Sequence, residues 1–261
     1  MATNMRRLSC VLPVVLFVLS APLAQAGDVS NVIFRIDATN AGGSGFLEFT
    51  ADQLVYNPGT NRWGWNTGLV EIENGSGDTI AILDQANVQY VKDPVADSYY
   101  YIQLGFALHA GSSDTNISIQ SALLSFPMIP PAALQPPVGG ARATASFGAT
   151  DLNGNGVTLL GDGPVGAGAF KAYYNGNVMF ADLVNLVSGG PGGSGNASQT
   201  MPMTGYAAIP VGVQDMSMLI AFDLTYADSA NGTLTYRLLP EPVSGLGLLL
   251  VSAVALGLRR R

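Results

Sequence analysis

Four oxygen-bearing side chains fall at a spacing that suits a cation: Asp151, Asn153, Asn155 and Asp162 take positions 1, 3, 5 and 12 of a loop with Gly156 at position 6. Alternate residues of a tight loop turn their oxygens to one side, which is how such loops surround calcium. Leu159 stands at position 9, however, and Asp162 is shorter than the glutamate usual at the last position. Gly163 and Pro164 then follow where a helix would begin. The same residues also describe an Asn/Gly-rich β-turn, and both readings stand. No cofactor is expected, and calcium at this loop is the alternative.

Trp63 and Trp65 are two residues apart, so on a strand they share a face. There they either offer a flat platform for sugar rings, with Tyr56 and Arg62 nearby, or they fill the core, with Gly64 marking a tight bend. Catalytic chemistry has few parts to draw on. His109 is the single histidine and falls on the polar side of a strand's end, just before Ala110 and Gly111. No serine sits in the G-x-S-x-G pattern of hydrolases, and the near match Gly42-Gly43-Ser44-Gly45 ends in Phe46. Glu71 and Glu73 share a face as a glycosidase pair would, yet strand neighbours on an exposed face are ordinarily just solvated. The match of Gly161, Gly163 and Gly166 to the dinucleotide fingerprint fails physically, because Pro164 removes an N–H from the helix opening the motif requires. The chain is expected not to be an enzyme.

The elements that must position these groups are strands. Tyr100, Ile102, Leu104, Phe106 and Leu108 form an apolar row against Tyr99, Tyr101, Gln103, Gly105 and His109. Ile117 and Ile119, and Val70 and Ile72, alternate with polar neighbours in the same way. Met216, Met218, Ile220, Phe222, Leu224 and Tyr226 form another row, and Leu234, Tyr236 and Leu238 a last one after Asn231-Gly232. Period-two alternation is the mark of strands with one buried face. The last two rows read as an antiparallel hairpin. Turn signals at Asn57-Pro58-Gly59, Asn74-Gly75 and Asn175-Gly176 separate short segments, and no 3.6-residue apolar period is sustained. These features predict an all-β fold, an antiparallel β-sandwich of jelly-roll or Ig-like type over residues 27–239, with Phe106, Ile119, Phe222 and Tyr236 in its core. The Pro-rich run 127–137 and the Gly/Ser-rich run 188–198 read as long loops within one domain, with two domains split near residue 135 as the alternative.

Both ends of the chain carry targeting signals. Arg6 and Arg7, an apolar run from residue 11 to 19, and Ala24-Gln25-Ala26 give charge, apolar core and small-residue cleavage site in order, so residues 1–26 read as a signal peptide cut by signal peptidase after Ala26. Cys10 leaves with that leader, and the exported domain then has no thiol and no disulfide. At the other end Pro240-Glu241-Pro242 precedes an apolar stretch at 243–258 and then Arg259, Arg260 and Arg261. At ~1.5 Å per residue that stretch makes about 24 Å, a little short of the ~30 Å hydrocarbon layer. The arginines belong on the cytoplasmic side, which leaves the domain outside.

A Pro-Glu-Pro triplet, one apolar helix and a terminal arginine cluster, in that order, resemble the PEP-CTERM sorting tail. The resemblance implies that residues 240–261 are recognised by an exosortase, a membrane protease, and that the protein reaches the cell surface or extracellular matrix, often beside exopolysaccharide. The segments 93–125 and 217–242 also look like those of other PEP-CTERM proteins.

Loss of residues 1–26 and 243–261 leaves 6 basic against 18 acidic residues, a net charge of −12. That balance argues against nucleic acid and anionic membrane surfaces as partners. The expected function is a structural or adhesive surface component tethered transiently through its C-terminal helix. The alternative is a binding module of the same system, for carbohydrate through Trp63 and Trp65 or for calcium at Asp151.

Overall fold

The alternating rows become sheet faces in the computed structural model, which describes residues 27–92, 99–129, 140–164 and 166–239. One sheet runs β3 (Gly43–Thr50), β2 (Val32–Asn40), β9 (Thr115–Ser121), β18 (Val213–Leu224), β10 (Leu124–Ile129) and β1 (Asp28–Val29) in hydrogen-bonded order. β9 and β10 follow one another along a single edge of β18 and act as one bent neighbour. The other edge of β18 carries β13 (Phe170–Tyr174) and β12 (Val157–Gly161), which lead out to β14 (Val178–Leu183) and β15 (Leu186–Gly189).

The second sheet runs β16 (Ser194–Met201), β11 (Gly140–Thr150), β19 (Ser229–Leu239), β8 (Tyr100–Ala110), β7 (Thr79–Val91), β5 (Arg62–Thr67) and β4 (Val55–Asn57). β17 (Ala207–Ala208) pairs beside β11, and β6 (Val70–Glu73) beside β7. Pairing is antiparallel throughout both sheets. Among the described residues the one helical element is a 3-10 turn, Ala51–Gln53, so the fold is all-β, as its alternation predicts.

One apolar core, reaching from Val29 to Leu238, fills the space between the sheets. Phe106, Ile119, Phe222 and Tyr236 are all at most 3% exposed. Phe106, Phe147 and Phe222 meet at centroid separations of 5.9 to 6.3 Å, so both sheets meet at an aromatic centre where offset and edge contacts add to area burial. The two-domain alternative is corrected by pairing alone: β19 lies between β8 and β11, and β18 lies between β9 and β13, so strands from both sides of residue 135 share each sheet.

The final hairpin is also corrected. β18 and β19 are successive but belong to opposite sheets, and residues 225–228 carry the chain across. Asn231-Gly232 lies inside β19, and no turn forms there. A Cβ at Gly232 would stand 2.6 Å from Phe106 Cε1, so this glycine makes room for the aromatic centre. The run 188–198 is likewise not a long loop. It holds the end of β15, a turn at 190–193 and the start of β16, and Gly195 passes so close to the Ser188 carbonyl that a Cβ would sit 2.2 Å from that oxygen. Its glycines allow a tight crossing between sheets.

A buried phenol on β7 ties the sheets together through polar contact. Tyr90, on β7, donates to the Ile33 carbonyl at 2.7 Å and accepts from the Ala122 N–H at 3.1 Å. Burial drives its pKa up, partly offset by the bond from Ala122, so the group stays a neutral donor. Tyr90→Phe removes both phenol bonds but leaves the Ala122 N–H on the Ile33 carbonyl at 3.1 Å, so the cost is about 0.5–1.5 kcal/mol. The urea midpoint is expected to fall with an unchanged m-value; an unchanged midpoint would show that the bridge contributes nothing.

Candidate functional site

Burial of one row on each strand of the second sheet leaves the alternate row on its outer face, and register sets those residues side by side. One line across the strands reads Gly64, Gln89, Gln103, Thr235, Thr144 and Thr200. The next reads Asn66, Asn87, Gly105, Thr233, Ser146 and Ser198, and a third Gln85, Ala107, Asn231, Gly148 and Asn196. No charged side chain occurs in these three lines. They form a field of hydroxyls and amides, groups that both donate and accept.

Two glycines keep this field level. A Cβ at Gly105 would come within 2.7 Å of the Asn87 amide, and one at Gly148 within 3.0 Å of the Asn231 amide. Each asparagine therefore lies across a neighbouring strand where a side chain would otherwise rise.

Charge is confined to the two ends of the face. At one end Arg62, Tyr101, Arg237 and Arg142 are aligned, with Tyr101 2% exposed beneath its neighbours. The Arg62 and Arg237 guanidinium carbons lie 5.2 and 5.1 Å from the Tyr101 ring centroid, and Arg237 lies 5.2 Å from that of Tyr99. Arg62 also donates to Gln89 at 3.0 Å, and the Tyr101 hydroxyl donates to Gln103. Burial opposes the charge of Arg237, but its hydrogen bond to the Tyr206 hydroxyl and the nearby phenol oxygens leave its pKa raised. At the other end, about 27 Å along β8, His109 Nε2 lies 2.8 Å from Asp84 Oδ2.

That His109 pair was not legible in the sequence, because Asp84 sits at a β-bulge in β7. Ser229 is the direct cross-strand partner of His109, so serine, histidine and aspartate do come together. No hydrogen bond joins Ser229 to His109, and the carboxylate occupies Nε2, so the relay a serine nucleophile needs is not formed. Glu71 and Glu73 are exposed on β6, with Glu71 accepting from the Thr79 hydroxyl.

The candidate calcium residues take other work. Asp151 Oδ1 accepts from the Asn153 and Gly154 N–H groups at 3.0 and 2.8 Å, and Oδ2 from those of Gly156 and Gly192 at 2.8 and 2.5 Å. Both oxygens are thus filled by backbone, as in the β-turn reading. Asn153 accepts from the Asn155 N–H and donates to the Tyr226 carbonyl, while strand β12 separates Asp162 from the other three. Among the described residues no group of three or more His, Cys, Asp or Glu side chains is gathered for a metal ion.

Trp63 and Trp65 do share a face of β5, but it is the inner one, which corrects the sugar-platform reading. Trp65 is buried against Phe34 and Phe49, at centroid separations of 5.3 and 4.3 Å. Trp63 is half-buried at the core's margin, with Tyr56 at 5.2 Å and Lys92 Nζ 4.5 Å from its centroid. Gly64 lies within paired strand, with no bend. Ala24, Ala26, Pro240, Glu241, Pro242, Arg259, Arg260 and Arg261 lie outside the described residues. Among those described, no helix is long and apolar enough to cross a membrane.

No family model matches the chain, and no curated protein matches it. Among solved structures it is similar to TmCBM61 in complex with beta-1,4-galactotriose, at 11% identity and a TM-score of 0.26, over 60% of this chain and 88% of that one. It is also similar to the enzymatically active domain of bacteriophage CBA120 tailspike protein 4, at 10% identity and a TM-score of 0.24, over 68% of this chain but 19% of that one. Likenesses this distant carry no argument about the site.

Asp151 gives this region a defined acid response. Burial opposes its charge, yet the four backbone donors outweigh burial and hold its carboxyl at about 2, below the ordinary 3.8. A depressed carboxyl stabilises the fold above the unfolded value and loses that contribution as pH falls through the folded one. Melting temperature is therefore expected to drop between pH 4 and pH 2. Asp151→Asn should melt lower at pH 7 and lose less over the acid interval. Equal acid slopes for the two proteins would show that this carboxylate does not hold the turn.

Proposed function

We propose that the chain is an exported, non-enzymatic component of a cell surface or extracellular matrix that adheres to extended polysaccharide through the outer face of its second sheet. The observation that carries the reading is the level, uncharged field of hydroxyls and amides spanning six strands. Sugar polymers present the same group types in repeating array. Each neutral hydrogen bond contributes about 0.5–1.5 kcal/mol net, so such a face holds a long ligand by many weak contacts and a small one poorly. Two open depressions, of ≈ 520 and ≈ 380 Å³, lie by contrast around Arg35 on the first sheet, the larger reaching Glu73, Asn74 and Gly75 at the end of β6.

Delivery belongs to the same proposal and rests on the sequence. Residues 1–26 direct export and are removed by signal peptidase. The Pro-Glu-Pro block, apolar stretch and arginines of 240–261 tether the precursor until an exosortase-type protease acts.

Protein recovered from its host tests both parts. Its C-terminal peptide is expected to lack the three arginines by mass spectrometry, and a peptide still ending in Arg261 would make the tail a plain anchor. The full chain should be retained on insoluble polysaccharide from the same matrix. Thr233→Glu and Ser146→Glu, both on exposed positions of the face, should weaken retention about tenfold, whereas Thr39→Glu on the first sheet should leave it unchanged. Equal retention of all three variants would end the proposal for this face.

A further inference from the structure

Three of the six described cations, Arg62, Arg142 and Arg237, stand on one cross-strand line in a protein with an excess of acidic residues. Among the described residues none of the three has a carboxylate within ion-pair reach, although Arg35 on the other sheet engages two, Asp37 and Glu48. Arg142 and Arg237 are direct cross-strand partners, and like charges placed opposite each other destabilise a sheet. The phenol rings beside Arg237 offset part of that repulsion, and an anion meeting the line would relieve the remainder.

The geometry also keeps these groups ready. Arg62 and Arg237 approach Tyr101 from strands on opposite sides of β8, their guanidinium carbons 5.2 and 5.1 Å from the ring centroid. Arg62 spends an N–H on Gln89 and Arg237 one on the Tyr206 hydroxyl, and the five donors of each guanidinium leave others for the two oxygens of a carboxylate. All three arginines are half-buried at the rim of the hydroxyl and amide field, with their outer row facing away from the core.

We infer that this line is a subsite for the carboxylate groups of an acidic polysaccharide whose remaining length lies over the neutral field. The inference rests on the reading of that face as a glycan surface and names the class of glycan. Carboxylate provides the charge complement; the hydroxyl rows beside it distinguish a sugar polymer from an acidic peptide or a nucleic acid.

The test compares binding of the full chain to polygalacturonate, to a neutral galactan of similar length and to single-stranded DNA, by titration calorimetry at two salt concentrations. Polygalacturonate is expected to bind about tenfold tighter than galactan at low salt, with the advantage shrinking as salt rises. Arg142→Gln, at the rim of the stack, should remove most of that advantage and leave galactan binding as it was. Arg62→Lys, which keeps the charge but loses the planar fork, should remove part of it. Equal affinity for polygalacturonate and galactan would overturn the inference while leaving the glycan face intact, and so would an unchanged Arg142→Gln. DNA bound as tightly as polygalacturonate would overturn the choice of a sugar polymer. Binding to neither glycan would remove the underlying reading as well.

Discussion

The register of three central strands is the constraint on which the rest depends. β11 pairs with β19 over 11 consecutive residues and β19 with β8 over 10, neither ladder broken by a bulge. Side chains alternate with period two, so a slip of one residue would send Phe106, Tyr236 and Phe147 outward and draw Gln103, Thr235 and Ser146 into the core. Burial of the aromatic centre therefore fixes the outer rows as firmly as it fixes the core. The level polar field is the other half of the pattern that makes the core.

Crossings between the sheets are secured by carboxylates used as backbone acceptors. Asp151 gathers its own turn and reaches the Gly-rich crossing through the Gly192 N–H. Asp228, fully buried, accepts from the Leu152 N–H and the Thr225 hydroxyl at the crossing from β18 to β19. Asp114 accepts from the Tyr226 N–H beside it. Without a disulfide to close its loops, the domain satisfies the polar groups of its sheet-to-sheet turns with short acidic side chains. An acidic composition thus serves local structure as well as solubility.

Much of the core was legible because alternation is local: the row from Tyr100 to Leu108 and the row from Met216 to Leu224 each announce a buried face within one segment. Register is not local. Nothing in the segment around Thr233 says that Gly105 and Ser146 lie on either side of it, so the outer field was invisible to sequence reasoning although every residue in it was visible. The two tryptophans show the same limit, since spacing placed them on one face but could not say that the face looked inward. Asn231-Gly232 misled because the pair is a turn signal in most settings; here the glycine answers a steric demand from Phe106, a residue more than a hundred positions away. The oxygen-rich spacing suits a cation or a turn, and in the structure Asp151 spends its oxygens on the N–H groups of its own turn.

Extended polar sheet faces suit ligands that repeat, and the two charged ends of this one give it a direction. Threonine methyl groups report on it site by site: Thr144, Thr200, Thr233 and Thr235 lie on the outer face of the second sheet, and Thr39 lies on that of the first. Methyl NMR of the full chain titrated with soluble polygalacturonate is the most direct measurement. Progressive shifts in the four threonines of the second sheet, with Thr39 unmoved, are the predicted result. Shifts at Thr39 alone, or none at any of the five, would contradict the assignment of binding to this face.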